Sequence, residues 1–217
     1  TGSVRSSGPR TADGLTGSAT LFPSADINID EVAGVGQKLL ISFELVGSNG
    51  HVVGGTQTAW NVSAIDLRPT VSAPEIVVQQ AELWSVARPY LYTLVATLKA
   101  YSEPVAVLDV VNTSVGIRSI EWNPSSGLHL NAQRTKMRGF CNHESFAGVG
   151  AAISPRIELF RLQQMRGIGG NSLRTSHNPP KPALLDIADR LGVMVLDENR
   201  VFATTSNCPG DFHDINH

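Results

Sequence analysis

Residues 171–180 read N-S-L-R-T-S-H-N-P-P, and this stretch, with the elements on either side of it, decides the fold of the second half of the chain. A short apolar strand ends here in Arg174 and His177, just before a double proline. Residues 193–199, V-M-V-L-D-E-N, form a second apolar run that ends in two acids. Because a buried strand has no structural need to finish in charged side chains, both strand ends are candidate sites.

Two amphipathic helices are predicted around this stretch. Pro155 suits the first position of one helix, and Ser154 can cap it. Its apolar face consists of Ile157, Phe160, Leu162, Met165 and Ile168, and the glycines that end it are Gly167, Gly169 and Gly170. Residues 182–191 form the other helix, which Gly192 stops. With a strand near residue 140, the order β-α-β-α-β predicts a parallel sheet with helical crossovers.

Polar clusters follow three consecutive strands of this predicted sheet. They are Asn142, His143 and Glu144, then Arg174 and His177, then Asp197, Glu198 and Asn199. The carboxyl ends of parallel strands meet at one edge of a sheet, where ligands bind in such folds. A single cluster would be an ordinary solvated loop, but three in register predict a site.

The first half of the chain shows strand signals instead. Lys38–Val46 is rich in apolar and β-branched residues and runs into Asn49-Gly50, a strong hairpin turn. Further strand-like runs follow at fairly regular spacing, about seven in roughly 100 residues, which is typical of an immunoglobulin-like β-sandwich. We therefore predict a loop or frayed end over 1–14, the sandwich over 15–119 and the parallel unit over 120–217.

Composition and charge exclude some partners. The net charge of −2 gives no reason to expect nucleic acid or an anionic membrane surface, and no apolar run approaches the length that spans a bilayer. The two cysteines, Cys141 and Cys208, are expected to be free thiols, and no cluster predicts a zinc site. Triplets at 61–63 and 112–114 match the N-glycosylation pattern, a weak hint of a secreted or lysosome-like location that leaves the compartment open.

Several motifs together resemble glycoside hydrolase family 2. M-R-G-F-C-N-H-E (137–144), L-R-T-S-H-N-P-P (173–180) and G-V-M-V-L-D-E-N (192–199) resemble, in order and spacing, the start of the family's catalytic barrel. E-L-W-S-V-A-R-P-Y-L-Y-T-L (82–94) is similar to the end of its immunoglobulin-like domain, and V-G-I-R-S-I-E-W (115–122) to the link between the two. The resemblance implies a β-sandwich followed by the first βα units of a (β/α)₈ barrel, from a β-galactosidase-like glycosidase.

The resemblance also assigns roles to matching positions. Arg174 matches the arginine that lies beneath the nucleophile carboxylate and holds it ionised. His177 matches a histidine that faces sugar hydroxyls, and His143 matches one near the same pocket. Asp197 matches an acid that binds sugar hydroxyls or orients its neighbours. The residues expected to support these four are Asn142, Glu144, Glu198 and Asn199. The implied ligand is a β-galactoside-like carbohydrate.

The sequence departs from the family pattern at several positions. Cys141 stands where asparagine is usual in the first motif. Phe202 and Thr204 stand where the magnesium-dependent members have metal ligands, so no metal and no cofactor are expected. Residues 203–217 match no motif. The family's two catalytic carboxylates, about 5–5.5 Å apart in retaining enzymes, belong to the fourth and seventh barrel strands, which this sequence does not reach.

These departures leave three hypotheses open. The first is a segment of a family 2 glycosidase that is inactive alone, since Glu144 and Glu198 match positions that are not catalytic. The second is a carbohydrate-binding remnant, and the third is a structural or assembly protein. Because the last strand, residues 193–196, would expose an unpaired apolar edge, we also expect self-association, another chain or a non-barrel packing against the sandwich to cover it.

Overall fold

The computed structural model describes residues 2–7, 16–28, 36–63, 68–102 and 104–198, with side chains described from residue 17 onward. The chain divides into two compact units, an N-terminal unit over Thr1–Thr135 and a C-terminal unit over Lys136–His217. The boundary that we predicted between residues 119 and 120 lies earlier than this division, because a small antiparallel sheet over 120–134 belongs to the first unit.

Eight strands of the N-terminal unit form two four-stranded antiparallel sheets. The strands are β1 (Gly2–Ser7), β2 (Thr16–Asp26), β3 (Lys38–Val46), β4 (Val52–Asn61), β5 (Thr70–Ser72), β6 (Ile76–Glu82), β7 (Tyr92–Ala100) and β8 (Val107–Val115). One sheet has the order β1-β2-β5, with β6 also paired to β2, and the other has the order β4-β3-β7-β8. The predicted β-sandwich is confirmed. The loop predicted over 1–14 is wrong for Gly2–Ser7, which pairs with β2.

Alternating side chains of the two sheets build the core of this unit. Along β3 the buried residues are Leu39, Ile41, Phe43 and Leu45, and along β7 every second residue from Tyr92 to Ala100 is buried. Leu21, Ile76 and Val78 of the other sheet belong to the same cluster. The predicted Asn49-Gly50 turn joins β3 to β4: Gly50 has φ +80° and donates its N–H to the carbonyl of Gly47 at 2.9 Å.

A three-stranded antiparallel sheet completes the N-terminal unit. It consists of β9 (Ile120–Asn123), β10 (Gly127–Leu130) and β11 (Gln133–Arg134), which includes the predicted hairpin. Asn131, in the turn after β10, has φ +52° and is 1% exposed. Its side chain accepts a hydrogen bond from the N–H of Ser119 at 2.9 Å and donates one to the carbonyl of Trp84 at 3.0 Å. Asn131 therefore ties the small sheet to the sandwich core.

The C-terminal unit is the predicted β-α-β-α-β arrangement. Its elements are β12 (Gly139–Cys141), α1 (Pro155–Gly167), β13 (Ser172–Arg174), α2 (Pro182–Leu191) and β14 (Met194–Leu196). The strands are parallel in the order β12-β13-β14. Arg174 pairs with Cys141 on one side and with Leu196 on the other. The carboxyl ends of all three strands therefore meet at one edge.

The two helices differ from the prediction in detail. α2 ends as expected at Gly192, which has φ +70° and donates its N–H to Ala188. Ser154 precedes α1, but its side chain makes no capping hydrogen bond. The expected burial of Phe160 and Ile168 is wrong, since they are 52% and 74% exposed. Within the described residues α1 packs through a narrower stripe that includes Leu162 and Met165. None of the described helices is long and apolar enough to cross a membrane.

Candidate functional site

The strand register places three polar side chains on one face of the parallel sheet. Cys141 and Arg174 are direct partners across β12 and β13, so their side chains point to the same face. Nη1 of Arg174 donates to Sγ of Cys141 at 3.4 Å. Glu198 lies two residues beyond Leu196, the partner of Arg174 in β14. The resulting Cys141–Arg174–Glu198 row crosses the carboxyl ends of all three strands.

Glu198 is the acid at the centre of the site. One of its carboxylate oxygens accepts a short hydrogen bond from Nε of Arg174, and the other lies 3.3 Å from Nδ1 of His177. Its backbone N–H donates to Oγ1 of Thr175 at 3.0 Å, which fixes the start of the loop after β14. Hydrogen bonds to Cys141 and to Glu198 raise the pKa of Arg174, so its guanidinium stays charged.

Two histidines lie next to one another at the same edge. The rings of His143 and His177 meet edge to face, with centroids 5.3 Å apart and an interplanar angle of 73°. His177 follows a cis peptide bond after Ser176. His143 is exposed, and its carbonyl accepts a hydrogen bond from Nη2 of Arg161 in α1 at 3.0 Å. The first helix thus holds the loop that carries His143.

Further charged residues support the loops beneath these histidines. Glu144 accepts a hydrogen bond from Nδ2 of Asn178 at 2.9 Å and forms an ion pair with Nζ of Lys181 at 2.8 Å. Glu158, which is 5% exposed, pairs with Arg161 at 3.6 Å. Burial raises the pKa of Glu158, and the charge of Arg161 opposes that rise.

A small cavity of about 20 Å³ lies among these groups, which is room for roughly one water molecule. The residues that line it include Asn142, Glu144, Glu158, Arg161 and Lys181. Around this cavity the carboxylates of Glu144 and Glu158 and the cations of Arg161 and Lys181 connect the loop after β12, the loop after β13 and helix α1.

The structure brings most of the predicted residues together. Arg174, His143 and His177 are neighbours, Glu144 supports the loops, and Asn142 donates its backbone N–H to the carbonyl of Arg174 at 3.0 Å. Asp197 lies at the same strand end with an exposed side chain, whereas Glu198, expected only to support its neighbours, makes the contacts with Arg174 and His177. Asn199, Phe202, Thr204, Cys208 and residues 203–217 lie outside the described residues.

Sequence reasoning missed two participants. Cys141 was predicted to be a free thiol and noted as a departure from a motif, but not placed in the site, although its position opposite Arg174 follows once β12 and β13 are aligned. Lys181 precedes α2, where a lysine gives no signal of its own. Within the described residues no group of three or more histidine, cysteine, aspartate or glutamate side chains is arranged to hold a metal ion.

Comparison with known proteins identifies the family. Residues 20–118 match the sequence model described as "Glycosyl hydrolases family 2", and residues 124–215 match the one described as "Glycosyl hydrolases family 2, TIM barrel domain". The chain belongs to glycoside hydrolase family 2. Its two matched regions follow the order of the sandwich and the parallel unit. The resemblance of the motifs is thereby confirmed, as is the β-sandwich followed by the start of a TIM barrel.

Curated relatives of this family 2 chain are glycosidases. It is 35% identical over 162 residues to the β-galactosidase BoGH2A of Bacteroides ovatus, covering 75% of the chain and 18% of the relative. It is 31% identical over 121 residues to a β-glucuronidase of Formosa agariphila, covering 55% of the chain and 12% of the relative. The chain therefore spans less than a fifth of the length of either.

Solved structures agree in fold. A family 2 member from Bacteroides cellulosilyticus superposes with a TM-score of 0.76 at 29% identity, over 90% of this chain and 24% of that one. A β-glucuronidase from Bifidobacterium dentium, solved with coumarin-3-O-glucuronide, gives a TM-score of 0.76 at 23% identity, over 91% of this chain and 30% of that one. At that identity the second similarity concerns the fold alone.

Proposed function

We propose that this chain supplies the sugar-facing edge of a family 2 glycosidase that acts on β-galactoside-type bonds with retention. The observation that carries the proposal is the convergence of Arg174, His177 and His143 at the carboxyl end of a parallel sheet. A relative named β-galactosidase supports this substrate class, and one named β-glucuronidase supports a glycosidase more generally.

The chemistry of these side chains suits a sugar. Hydroxyl groups need donors and acceptors held on rigid elements, and two imidazole rings and a guanidinium provide them here. Arg174 is held in place by Glu198, so its position is set before any ligand arrives. A fixed cation of this kind keeps a nearby nucleophile carboxylate ionised, which a retaining mechanism requires. His143 and His177 then contact hydroxyl groups of the sugar.

Turnover requires two carboxylates that we do not assign to residues of this chain. We therefore propose that the 217-residue polypeptide does not hydrolyse glycosides by itself. Incubation of the purified chain with nitrophenyl β-galactoside should release no nitrophenol. Robust turnover that disappears in His177→Ala, in material free of any longer enzyme, would overturn the proposal of inactivity.

The roles of the histidines and arginine need a longer polypeptide that continues this sequence through a complete barrel. There, His177→Ala and Arg174→Lys should each lower kcat/KM for nitrophenyl β-galactoside at least about 100-fold, since both act on the reacting sugar or its nucleophile. His51→Ala is the matched control, because His51 is an exposed residue next to the β3–β4 turn of the sandwich. Equal activity of all three variants would refute the assigned roles.

A second function, sugar binding without turnover, is favoured by the same site. His143 is exposed and the side chain of His177 is 37% exposed, so both can be reached by a ligand in this chain. Titration calorimetry of the chain with galactose should detect weak binding that His177→Ala removes. Absence of heat even at high sugar concentration would exclude the binding function and favour a structural or assembly role.

A further inference from the structure

Cys141 has surroundings that the sugar-binding proposal does not use. Its side chain is exposed and unbridged at the carboxyl end of β12. Nη1 of Arg174 lies 3.4 Å from the sulfur and donates to it. Arg174 also binds Glu198 through Nε, so the guanidinium is held with Nη1 directed at the sulfur. A thiol beside a fixed guanidinium is a typical environment of a reactive cysteine.

A second polar group, the hydroxyl of Ser176, affects the same sulfur. Ser176 is 1% exposed, and its hydroxyl makes no hydrogen bond of ordinary geometry within the described part of the chain. Ser176 lowers the pKa of the Cys141 thiol as a side-chain donor, which places its hydroxyl near that sulfur. Buried hydroxyls almost always have partners, so an unpartnered one suggests a place for an additional acceptor. A negatively charged sulfur, or an oxygen atom attached to it, would be that acceptor.

We propose that Cys141 is a modification site, a nucleophilic thiolate that reacts with peroxides and with soft alkylating electrophiles, with Arg174 and Ser176 as the donors that stabilise it. The proposal does not depend on sugar hydrolysis, because it concerns the chemistry of the sulfur itself.

The electrostatics of the described neighbours favour the thiolate. The donors Arg174 and Ser176 lower the pKa of the Cys141 thiol, with Arg174 contributing most, whereas desolvation and, less strongly, the charge of Glu198 oppose them. Cys141 therefore holds more thiolate at neutral pH than an unfolded cysteine does. Near neutral pH each unit of lowering increases the alkylation rate only about threefold, because the nucleophilicity of a thiolate falls together with its pKa.

The reaction with peroxide is a two-electron oxidation. The thiolate sulfur attacks one oxygen of hydrogen peroxide, an S–O bond forms and the O–O bond breaks. The sulfur is oxidised to sulfenic acid, and the second oxygen leaves as hydroxide, which takes up a proton to become water. The new oxygen would lie beside Arg174 and Ser176, whose donors can bind it.

The test uses the full 217-residue chain carrying Cys208→Ser, so that Cys141 is its one thiol. Thiolate absorbance near 240 nm is followed against pH in native buffer and in urea, with Cys141→Ser subtracted. Iodoacetamide alkylation at neutral pH is followed by intact mass. The folded chain should titrate at lower pH than the unfolded chain and react faster, by about threefold for each unit between the two measured midpoints. Circular dichroism at 222 nm first checks that the chain in native buffer is folded, and equal midpoints and rates in that folded chain overturn the proposal.

Variants of Ser176 test whether the reactivity of Cys141 depends on its donors or only on its exposure to solvent. Ser176→Ala should raise the midpoint and slow alkylation, whereas Ser176→Thr keeps the hydroxyl and should restore both. Ser154→Ala is the matched control, because Ser154 makes no side-chain capping bond. Dilute hydrogen peroxide with dimedone should label the chain once, and Cys141→Ser should abolish the label. No effect of Ser176→Ala would overturn the role of Ser176, and a missing dimedone adduct would overturn the reaction with peroxide.

Discussion

Gly139→Ala should damage the C-terminal unit more than its small size suggests. A Cβ atom at Gly139 would lie 1.7 Å from the carbonyl oxygen of Ser172, whereas ordinary contact begins at 3.4 Å. Both residues belong to paired backbone, since Gly139 is the partner of Ser172 in the β12–β13 ladder. The strands would therefore have to separate by roughly 1.5 Å, because no flexible side chain can move aside.

The size of the effect follows from what the separation disrupts. Overpacking costs about 1–3 kcal/mol, and each weakened hydrogen bond of the short ladder adds about 0.5–1.5 kcal/mol. We expect the free energy of unfolding of this unit to fall by about 3–5 kcal/mol, a large part of the roughly 5–15 kcal/mol that native domains possess. Separation of the strands would also move Cys141 away from Arg174, so the fast alkylation of Cys141 should disappear.

Urea unfolding followed by circular dichroism at 222 nm measures this change, because α1 and α2, the helices of the described residues, both lie in the C-terminal unit. The matched control is Gly167→Ala at the end of α1, where a Cβ would meet no atom within 4 Å. That control should be neutral or gain up to about 1 kcal/mol from better helix propensity. A Gly139→Ala variant within about 1 kcal/mol of the wild type would refute the close approach of β12 to Ser172.

Two further substitutions test buried polar groups. Asn131→Ala should lower the free energy of unfolding of the N-terminal unit by about 2–4 kcal/mol, because it leaves the Ser119 N–H and the Trp84 carbonyl without that partner. The control Asn123→Ala, at an exposed turn, should cost about 1 kcal/mol or less. Unfolding of both variants can be followed by the fluorescence of the buried Trp84. Equal losses of unfolding free energy in the two variants would contradict this account. Glu158→Gln tests a carboxyl group whose pKa burial raises above its usual 4.5. Because the folded state holds that proton more tightly, the contribution of Glu158 is complete at low pH and is lost as the pH rises through the raised pKa. The variant should therefore gain stability relative to the wild type as the pH rises above about 4.5 in urea unfolding, and a difference that is constant with pH would contradict the burial effect.

Periodic patterns predicted the elements, because they reflect which face of an element is buried. Alternation along Lys38–Val46 gave β3, and the glycines after α1 and α2 gave both helix ends. The same logic failed at Phe160 and Ile168, since the sequence shows that a helix has an apolar stripe but not how much of it a neighbour covers. It also failed at Gly2–Ser7, whose sequence G-S-V-R-S-S has little apolar character and whose strand is specified by pairing with β2.

The candidate site was predictable only in part, for a different reason. Motifs located the three strand ends and thereby His143, Arg174 and His177, but a motif does not tell which side chain contacts which. The ion pair of Glu144 with Lys181 joins residues from two loops, and the burial of Glu158 depends on the packing around α1. Such contacts are set by the tertiary fold and leave no local pattern in the sequence.

The choice between the two acids after β14 shows what register adds to a motif. Arg174 pairs with Leu196, and side chains two residues apart along an extended segment point to the same face. Glu198, two residues after Leu196, therefore reaches the face of Arg174 and binds it, and Asp197 is directed elsewhere. The same rule places Cys141, the direct partner of Arg174 in β12, in the row. Asparagine, the usual residue there, would offer Arg174 a neutral amide, whereas cysteine offers an acceptor that can ionise and react. The proposed alkylation and oxidation at position 141 therefore depend on the cysteine, because an asparagine there could undergo neither reaction.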